Sequence, residues 1–214
     1  MTETTVTRWW LIRHAPVVGT TGRVYGQMDV ACDVSDATSF KALAHRVPDA
    51  ALWLVTPLSR TQRTAAAIAE QLRAAGRATP PAPEVEGAFI EQDFGEWQGR
   101  SYREIGANGQ GEAAHRFWLA PATEVPPGGE SFASVVQRVG AALQDRSARH
   151  AGRDIVVVSH GGAIRAAVAH ALGIAPEAAL AIGVDTLSLT RIDHIAGPGK
   201  GNDWRLGLLN WPAP

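Results

Sequence analysis

The sequence predicts an α/β protein, a three-layer α/β/α sandwich built around a mainly parallel mixed sheet. Three observations lead to this prediction. Short apolar runs alternate with amphipathic helical segments along much of the 214 residues, as strand-helix-strand units require. Hydrophobic residues make up 45% and charged residues 19%, which supplies a sizeable core and carries no signature of disorder. An alternating tail adds one antiparallel edge.

The first half of the chain contains two strand-turn-helix units. The apolar run Trp9–Ile12 predicts a buried strand, and a glycine-bearing loop separates it from a helix that Ser35 or Asp36 can cap. The segment ALWLVT, residues 51–56, predicts the second strand. The helix after it keeps apolar residues at helical spacing and can end at Gly76, since glycine accepts a left-handed conformation.

The second half repeats this pattern after a loop and a weakly patterned segment. Residues 77–83 contain three prolines, which indicates a surface loop, and residues 84–130 show little periodicity. Residues 130–150 predict a long amphipathic helix. The run DIVVVS, residues 154–159, predicts a buried strand, and the glycines after it begin a helix that stops at Gly173.

The tail predicts the antiparallel edge of the sheet. Residues 185–192 alternate as a half-exposed strand does, and the sequence GPGKGND before WRLGLLNW is typical of a hairpin turn. No shift in composition marks a domain boundary, so we expect residues 1–214 to form a single domain.

Charge and cysteine content exclude several classes of protein. Twenty basic and twenty-one acidic residues leave a formal net charge of -1, which gives no broad surface for nucleic acid or anionic membranes. Cys32 is the only cysteine, so no internal disulfide can form. The N-terminal segment lacks signal-peptide features, and no apolar run approaches the ~20 residues of a membrane span. We expect a cytoplasmic protein without nucleic-acid or membrane partners; its oligomeric state stays open.

Cationic side chains follow three of the predicted strands. Arg13 and His14 follow the first strand, Arg60 follows the second, and His160 with Gly161 follows the valine-rich strand. Because the carboxyl ends of parallel strands meet at one edge of a sheet, we expect these residues to lie close together. Arginines bind phosphate oxygens bidentately and helix N-termini attract anions. The arrangement predicts a phosphate-binding pocket.

These residues carry a resemblance to the histidine phosphatase family, also called phosphoglycerate mutase-like. The sequence RHA at residues 13–15 is similar to the family's Arg-His-Gly motif, and TPLSRTQRTA is similar to a second motif whose arginine is Arg60 here. The segment FIEQDFGEWQG is similar to the one that carries the family's acid, here Glu91, and VVVSHGGAIRA to the closing motif at His160. Short loops and GRVYG resemble the small α-ribazole phosphatase-type members.

The resemblance implies a metal-independent phosphomonoester hydrolase that needs no cofactor and acts on a small phosphorylated metabolite. His14 would attack phosphorus and carry the phosphoryl group as phosphohistidine, which divides one hard step into two easier ones. Arg13, Arg60 and a protonated His160 would stabilise the charge on the transferring group. Glu91 would protonate the leaving alkoxide and later accept a proton from water.

The phosphate-binding loop departs from the family pattern. Ala15 replaces a glycine, which we expect to keep the backbone N–H for phosphate while adding a methyl beside it. Pro16 removes an amide, and Val17–Gly19 stand where relatives often carry an asparagine that contacts phosphate. Arg23 at the expected pocket mouth and Gly161 are further candidates for substrate binding.

Two other functions stay open on the sequence alone. A phosphoglycerate mutase would use the same histidine and return the phosphoryl group to a second hydroxyl. Mutases of the family carry a longer insertion with paired arginines, whereas Arg100, Arg103 and Arg116 are dispersed over a short segment here. The departures around Ala15 instead favour a catalytically weak phosphate-binding module.

Overall fold

A computed structural model describes residues 4–78, 80–107, 121–197 and 203–212. Within these ranges six strands form one sheet in the order β3-β2-β4-β1-β5-β6. Parallel pairing joins β1, β2, β3 and β4, whereas β5 runs antiparallel to both β1 and β6, so the predicted mixed and mainly parallel sheet is confirmed. The strands are β1 (Thr5–Arg13), β2 (Leu52–Val55), β3 (Glu84–Val85), β4 (Asp154–Ser159), β5 (Leu189–Ala196) and β6 (Trp204–Trp211).

Helices cover both faces of the sheet, as the three-layer prediction requires. The helices α1 and α2 pack on one face with Trp53 and Val156, and α4, α5 and α6 pack on the other face around Trp9 and Val157. The helices in the described ranges are α1 (Ala37–Arg46), α2 (Ser59–Ala74), α3 (Tyr102–Ala107), α4 (Phe132–Arg149), α5 (Gly161–Leu172) and α6 (Pro176–Leu180). Two short 3₁₀ turns, Gly87–Phe89 and Gly95–Trp97, lie between β3 and α3.

The central strand β4 explains why its sequence is a continuous apolar run. Ile155 and Val157 point into the core under α4 and α5, whereas Val156 and Val158 point into the core under α1 and α2. Strands covered by helices on both faces are apolar at every position, so valine and isoleucine are favoured throughout. The register of β4 against β1, in which Arg13 is paired with Ser159, places the site described below.

Helix ends follow the predicted signals. The carboxylate of Asp36 accepts a hydrogen bond from the Ser39 N–H at 3.1 Å and caps α1. Gly76 and Gly173 end α2 and α5 with φ angles of 68° and 62°, a left-handed conformation that glycine adopts without a Cβ clash.

Two features of the sheet differ from the sequence-based expectation. The edge strand β3 is only two residues long, too short to produce an alternating pattern. The strand predicted at residues 185–192 is instead Leu189–Ala196, because Asp185 to Ser188 form a turn in which Leu187 has a φ of 60°. The predicted hairpin pairing of β5 with β6 is confirmed, while residues 198–202 of its turn lie outside the described ranges. Across the described segments, the structure contains no helix with the length and apolar character of a membrane span.

Candidate active site

Two buried histidines lie side by side at the carboxyl edge of the sheet. The register of β1 against β4 pairs Arg13 with Ser159, so the next residues, His14 and His160, follow neighbouring strand ends. The His14 N–H donates to the Ser159 carbonyl at 2.9 Å. The two imidazole centroids are 5.2 Å apart, and the side chains are 1% and 0% exposed, so both rings form one water-poor pocket. The predicted convergence of strand ends is confirmed for these residues.

The hydrogen bond of His14 selects its tautomer. Its Nδ1 lies 2.7 Å from the Ala15 carbonyl oxygen, and because a carbonyl only accepts, Nδ1 must carry the proton. Burial lowers the pKa of His14 to about 3, with Arg60 and Arg13 adding to the shift and the Ala15 hydrogen bond opposing it. The imidazole is therefore neutral at neutral pH, with an unprotonated Nε2.

Two guanidiniums flank this pocket and are held by backbone carbonyls. Arg60, fully buried in the first turn of α2, donates to the carbonyls of Met28 and Gly26 at 2.6 Å each. Arg13 donates from Nη1 to the Val184 carbonyl at 2.5 Å. In both side chains Nε is buried without a partner, and neither forms an ion pair with a described residue. The pocket thus holds two positive charges and two unused donors, which suits an anion.

His160 presents one ring nitrogen to a hydroxyl and keeps the other buried and unpartnered. Its Nε2 lies 2.9 Å from Thr56 Oγ1, and its Nδ1 has no partner. Burial lowers the pKa of His160 well below its ordinary value, and the charges of Arg60 and Arg13 lower it further. Without a bound anion the surroundings therefore favour a neutral His160, and the protonated form expected during phosphoryl transfer stays a prediction. Because the Thr56 hydroxyl can donate to Nε2, the neutral ring can still offer an Nδ1–H.

Glu91 lies at the N-terminus of α5. Its Oε2 accepts from the Gly162 N–H at 3.3 Å, and its Oε1 accepts from the Gln92 N–H at 3.0 Å. A Cβ at Gly162 would collide with Glu91 Oε1, so this approach requires a glycine. Gly161, the sequence-based candidate, is buried beside Arg13, whose Nε would lie 3.5 Å from an added Cβ. The role of Gly162 was missed, although the double glycine after His160 is a signal for it.

The backbone of Ala15 does not serve the purpose that the sequence suggested. Its N–H donates to Thr64 Oγ1 at 2.9 Å, and the same hydroxyl donates to the Arg60 carbonyl at 2.7 Å. Ala15 is fully buried and belongs to the hydrophobic core cluster under α1 and α2. The expectation of a free Ala15 donor is wrong because Thr64 takes that N–H to join the end of β1 to α2.

An open cavity of about 380 Å³ lies next to these groups. Glu91, Gly162 and Arg165 line it, and Arg23 stands at its rim, half exposed, with Nη1 donating to the Gly99 carbonyl at 2.7 Å. The rest of its wall is largely apolar and aromatic. Among the wall residues are Val24, Tyr25, Phe94, Trp97, Ile105 and Phe132. Arg23 thus lines a cavity whose wall does not include the buried histidine pair, and its role in substrate binding stays a prediction.

The turn before β5 holds two of the arginines in place. Its Val184 carbonyl accepts from Arg13, and its Ile182 carbonyl accepts from Arg165 Nε at 2.7 Å. Asp185 fastens this turn to β6: its N–H donates to Asn210 Oδ1 at 2.7 Å, and Asn210 Nδ2 donates back to the carboxylate at 2.9 Å. Asn210 has a φ of 47°, a conformation that asparagine tolerates better than most residues. Sequence reasoning missed this reciprocal pair.

Metal ligands do not cluster in the described part of the chain. No group of three or more His, Cys, Asp or Glu side chains there could hold a metal ion. The pocket is built instead from fixed cations and imidazoles.

Comparison with known proteins places the chain in a family. The model of the histidine phosphatase superfamily (branch 1) matches residues 9–210. Phosphoserine phosphatase 1 of Hydrogenobacter thermophilus is 32% identical over 192 residues, 85% of this chain and 84% of that protein. The 2,3-bisphosphoglycerate-dependent phosphoglycerate mutase of Cytophaga hutchinsonii is 37% identical over 102 residues, so this chain aligns with about half of that relative, 47% of each. The crystal structure of the α-ribazole phosphatase from Shigella flexneri has the same fold, with a TM-score of 0.77 over 95% of this chain and 96% of that one at 24% identity. The chain belongs to the histidine phosphatase superfamily, branch 1.

Proposed function

We propose that this phosphatase hydrolyses phosphomonoesters without a metal ion, through a phosphohistidine formed at His14. One observation carries the proposal: a neutral imidazole with an unprotonated Nε2 lies near the buried Arg60 and the partly buried Arg13, neither of which has a counterion among the described residues. A neutral ring is the nucleophilic form of histidine, and fixed positive charge is what a phosphoryl transition state requires.

Phosphate binding follows from the unused donors of the pocket. Arg13 Nε, Arg60 Nε and His160 Nδ1 are all buried without a partner. A buried donor without a partner has a free-energy cost, which is recovered when the donor meets an acceptor. The three terminal oxygens of a phosphate ester dianion are such acceptors. The dianion also favours protonation of His160, which would then add a third positive charge. In a dry site such preorganised charge stabilises the transition state strongly.

The reaction then uses one acid-base group. His14 Nε2 bonds to phosphorus while the bond from phosphorus to the ester oxygen breaks, and Glu91 gives its proton to the departing alkoxide. Water next attacks the phosphohistidine, Glu91 takes the water proton, and inorganic phosphate leaves with His14 neutral again. The position of Glu91 supports this role, because the carboxyl group lies on the wall of the open cavity and reaches Gly162, two residues after His160.

We further propose that the substrate is a small phosphorylated metabolite, since the relatives include a phosphoserine phosphatase. A single domain over residues 1–214 is supported by the family match to residues 9–210. We also propose a cytoplasmic location, in keeping with the sequence composition.

The arginines that bear on the mutase alternative are only partly described. Arg100 and Arg103 lie within the described residues, whereas Arg116 does not.

The phosphohistidine is tested by trapping. With a radiolabelled aryl phosphate in chelator and a rapid quench without acid, we expect label on the wild type and none on His14→Ala, because no other group occupies the attacking position. His45→Ala, which changes an exposed histidine of α1, serves as the matched control and should label normally.

Product analysis in the same experiment separates the other functions. Phosphate binding without label would identify a binding module instead. Conversion of 3-phosphoglycerate to 2-phosphoglycerate at the rate of phosphoryl transfer would identify a mutase. Full hydrolytic activity in His14→Ala would refute the mechanism.

The tautomer and pKa of His14 are measurable directly. In nitrogen-15 NMR spectra we expect Nδ1 protonated and Nε2 bare from pH 8 to 5, with protonation only as the pH approaches about 3. The unfolded chain takes up the proton near pH 6.5, so His14 favours folding fully above that pH and loses this contribution as the pH falls towards 3. The urea-unfolded protein is the control. Titration of the folded His14 near pH 6.5 would contradict the assignment.

Glu91→Gln separates chemistry from binding. The amide keeps an oxygen for the Gly162 N–H but cannot protonate a leaving group. On alkyl phosphates we expect single-turnover phosphorylation of the enzyme to slow by roughly 10²- to 10⁴-fold, the usual contribution of a general acid. On aryl phosphates with good leaving groups the loss should be much smaller, and phosphate affinity should hardly fall. An equal loss on both substrates would make Glu91 a positioning residue.

Asn210→Gly tests whether the tie between β6 and the turn positions Arg13. Glycine accepts the φ of 47° but removes both side-chain hydrogen bonds to Asp185. We expect kcat/KM and orthovanadate affinity to fall about 2- to 10-fold, because a displaced Arg13 would lose about one hydrogen bond to the bound anion. In an Arg13→Lys background the loss from Asn210→Gly should largely disappear, since both substitutions act through the position of the Arg13 guanidinium. Arg205→Ala, on the same strand, is the control; an additive double variant would mean that Asn210 supports only the fold.

A further inference from the structure

The open cavity gives the organic part of the substrate its place. Glu91 lines this cavity, whereas Arg13, His14, Arg60 and His160 do not. If Glu91 protonates the leaving oxygen, as proposed above, then the leaving group must extend from the buried phosphate pocket into the cavity. The side chains of the cavity therefore select the alcohol portion of the ester. This step rests on the proposed function.

Arg165 stands where it can reach such a leaving group. It lies in the second turn of α5, four residues after Gly161, and helical side chains lean towards the N-terminus of their helix. Its Nη1 would be 3.6 Å from a Cβ on Gly161, so the guanidinium covers the start of the helix. Its Nε donates to the Ile182 carbonyl at 2.7 Å, which fixes the direction of the planar fork.

The two terminal nitrogens of this fork have no hydrogen bond or ion pair to a described residue, although they belong to a half-buried side chain. No ion pair within 4.0 Å joins Arg165 to Glu91. The other arginine of the cavity differs, because Arg23 donates to the Gly99 carbonyl and faces Glu104 at 3.4 Å. A fixed fork with free terminal donors matches a planar or tetrahedral anion.

We propose that Arg165 binds a second anionic group, a carboxylate or a phosphate, carried by the organic part of the substrate. The phosphoryl group that is transferred already meets three unpartnered donors in the buried pocket, so Arg165 is left for another part of the molecule. The apolar wall, including Tyr25, Phe94 and Phe132, contacts the carbon skeleton between the two anionic groups. The preferred substrates are thus small acidic phosphomonoesters with an apolar body.

Matched aryl phosphates test this assignment without knowledge of the natural substrate. The probes are meta-(carboxymethyl)phenyl phosphate, its carboxamide, and the corresponding phosphonate. The phenolate leaving groups of the three probes depart with similar ease, so differences in kcat/KM report recognition of the second group. We expect the wild type to prefer the two acids over the amide.

Arg165→Gln should lower kcat/KM on the two acids by about 10- to 100-fold, as loss of a charge-assisted hydrogen bond does, and should change the amide little. Arg165→Lys should restore part of the preference for the acids, which a merely structural role would not produce. Arg103→Gln, at an exposed arginine of α3, is the matched control and should leave all three rates unchanged. If Arg165→Gln lowers kcat/KM more on the carboxylate probe, Arg165 recognises a carboxylate. If it lowers kcat/KM more on the phosphonate probe, Arg165 recognises a phosphate-like group.

Three outcomes would overturn the proposal. Unchanged rates in Arg165→Gln would mean that the fork binds nothing. An equal loss on all three probes with weaker orthovanadate binding would place Arg165 on the transferring phosphoryl group. An equal loss of kcat/KM on all three probes with unchanged orthovanadate binding would mean that Arg165 acts through Glu91. Turnover of none of the probes by the wild type would instead refute the proposed function, and this inference with it.

Discussion

Arg13 and Arg60 have no carboxylate partner in the described part of the chain, and this is the constraint on which the rest of the site depends. A carboxylate would satisfy either guanidinium, but it would also repel a phosphate dianion and cancel the charge that a transition state needs. The chain instead uses backbone carbonyls of Gly26, Met28 and Val184. Carbonyls fix the geometry and carry no net charge, so the positive potential remains for the substrate. Together with burial, that potential keeps His14 neutral.

Carbonyl anchors are only as precise as the loops that carry them, and each loop is tied to another part of the fold. The loop at residues 26–28 is joined to the Glu91 segment, because Gln27 Nε2 donates to the Glu91 carbonyl at 2.9 Å. Gly26 has a φ of 41°, and a Cβ there would lie 3.0 Å from the Gln92 carbonyl oxygen, so the close approach needs a glycine. The anchor of Arg60 and the position of Glu91 are therefore set by one contact region, which keeps acid and cation at a fixed separation.

The parts of this structure that were predictable from sequence are those in which a local pattern determines the outcome. The strand β4 was predictable because burial on both faces requires a continuous apolar run. The convergence of the cationic strand ends was predictable because parallel pairing brings the carboxyl ends of strands to one edge of the sheet. The hydrogen bond from Ala15 to Thr64 was not, since it joins residues 49 apart through one rotamer. The lowered pKa of His160 was not predictable either, because it depends first on the burial of the ring and then on the nearby charges of Arg60 and Arg13, which no spacing in the sequence supplies.

The site divides into two ends with different physical demands. In the proposed function the buried end binds the phosphoryl group that every substrate shares, and its arginines are held there by backbone carbonyls. In the proposed function the open end distinguishes one alcohol from another, and the residues available for this are an apolar wall and the partly exposed Arg165. Glu91 belongs to both ends, since it receives the Gly162 N–H and also faces the cavity. The turn before β5 also links the two ends, since its carbonyls anchor both Arg13 and Arg165. A change at the open end that keeps this anchor should therefore alter which esters are hydrolysed while leaving phosphoryl transfer itself intact.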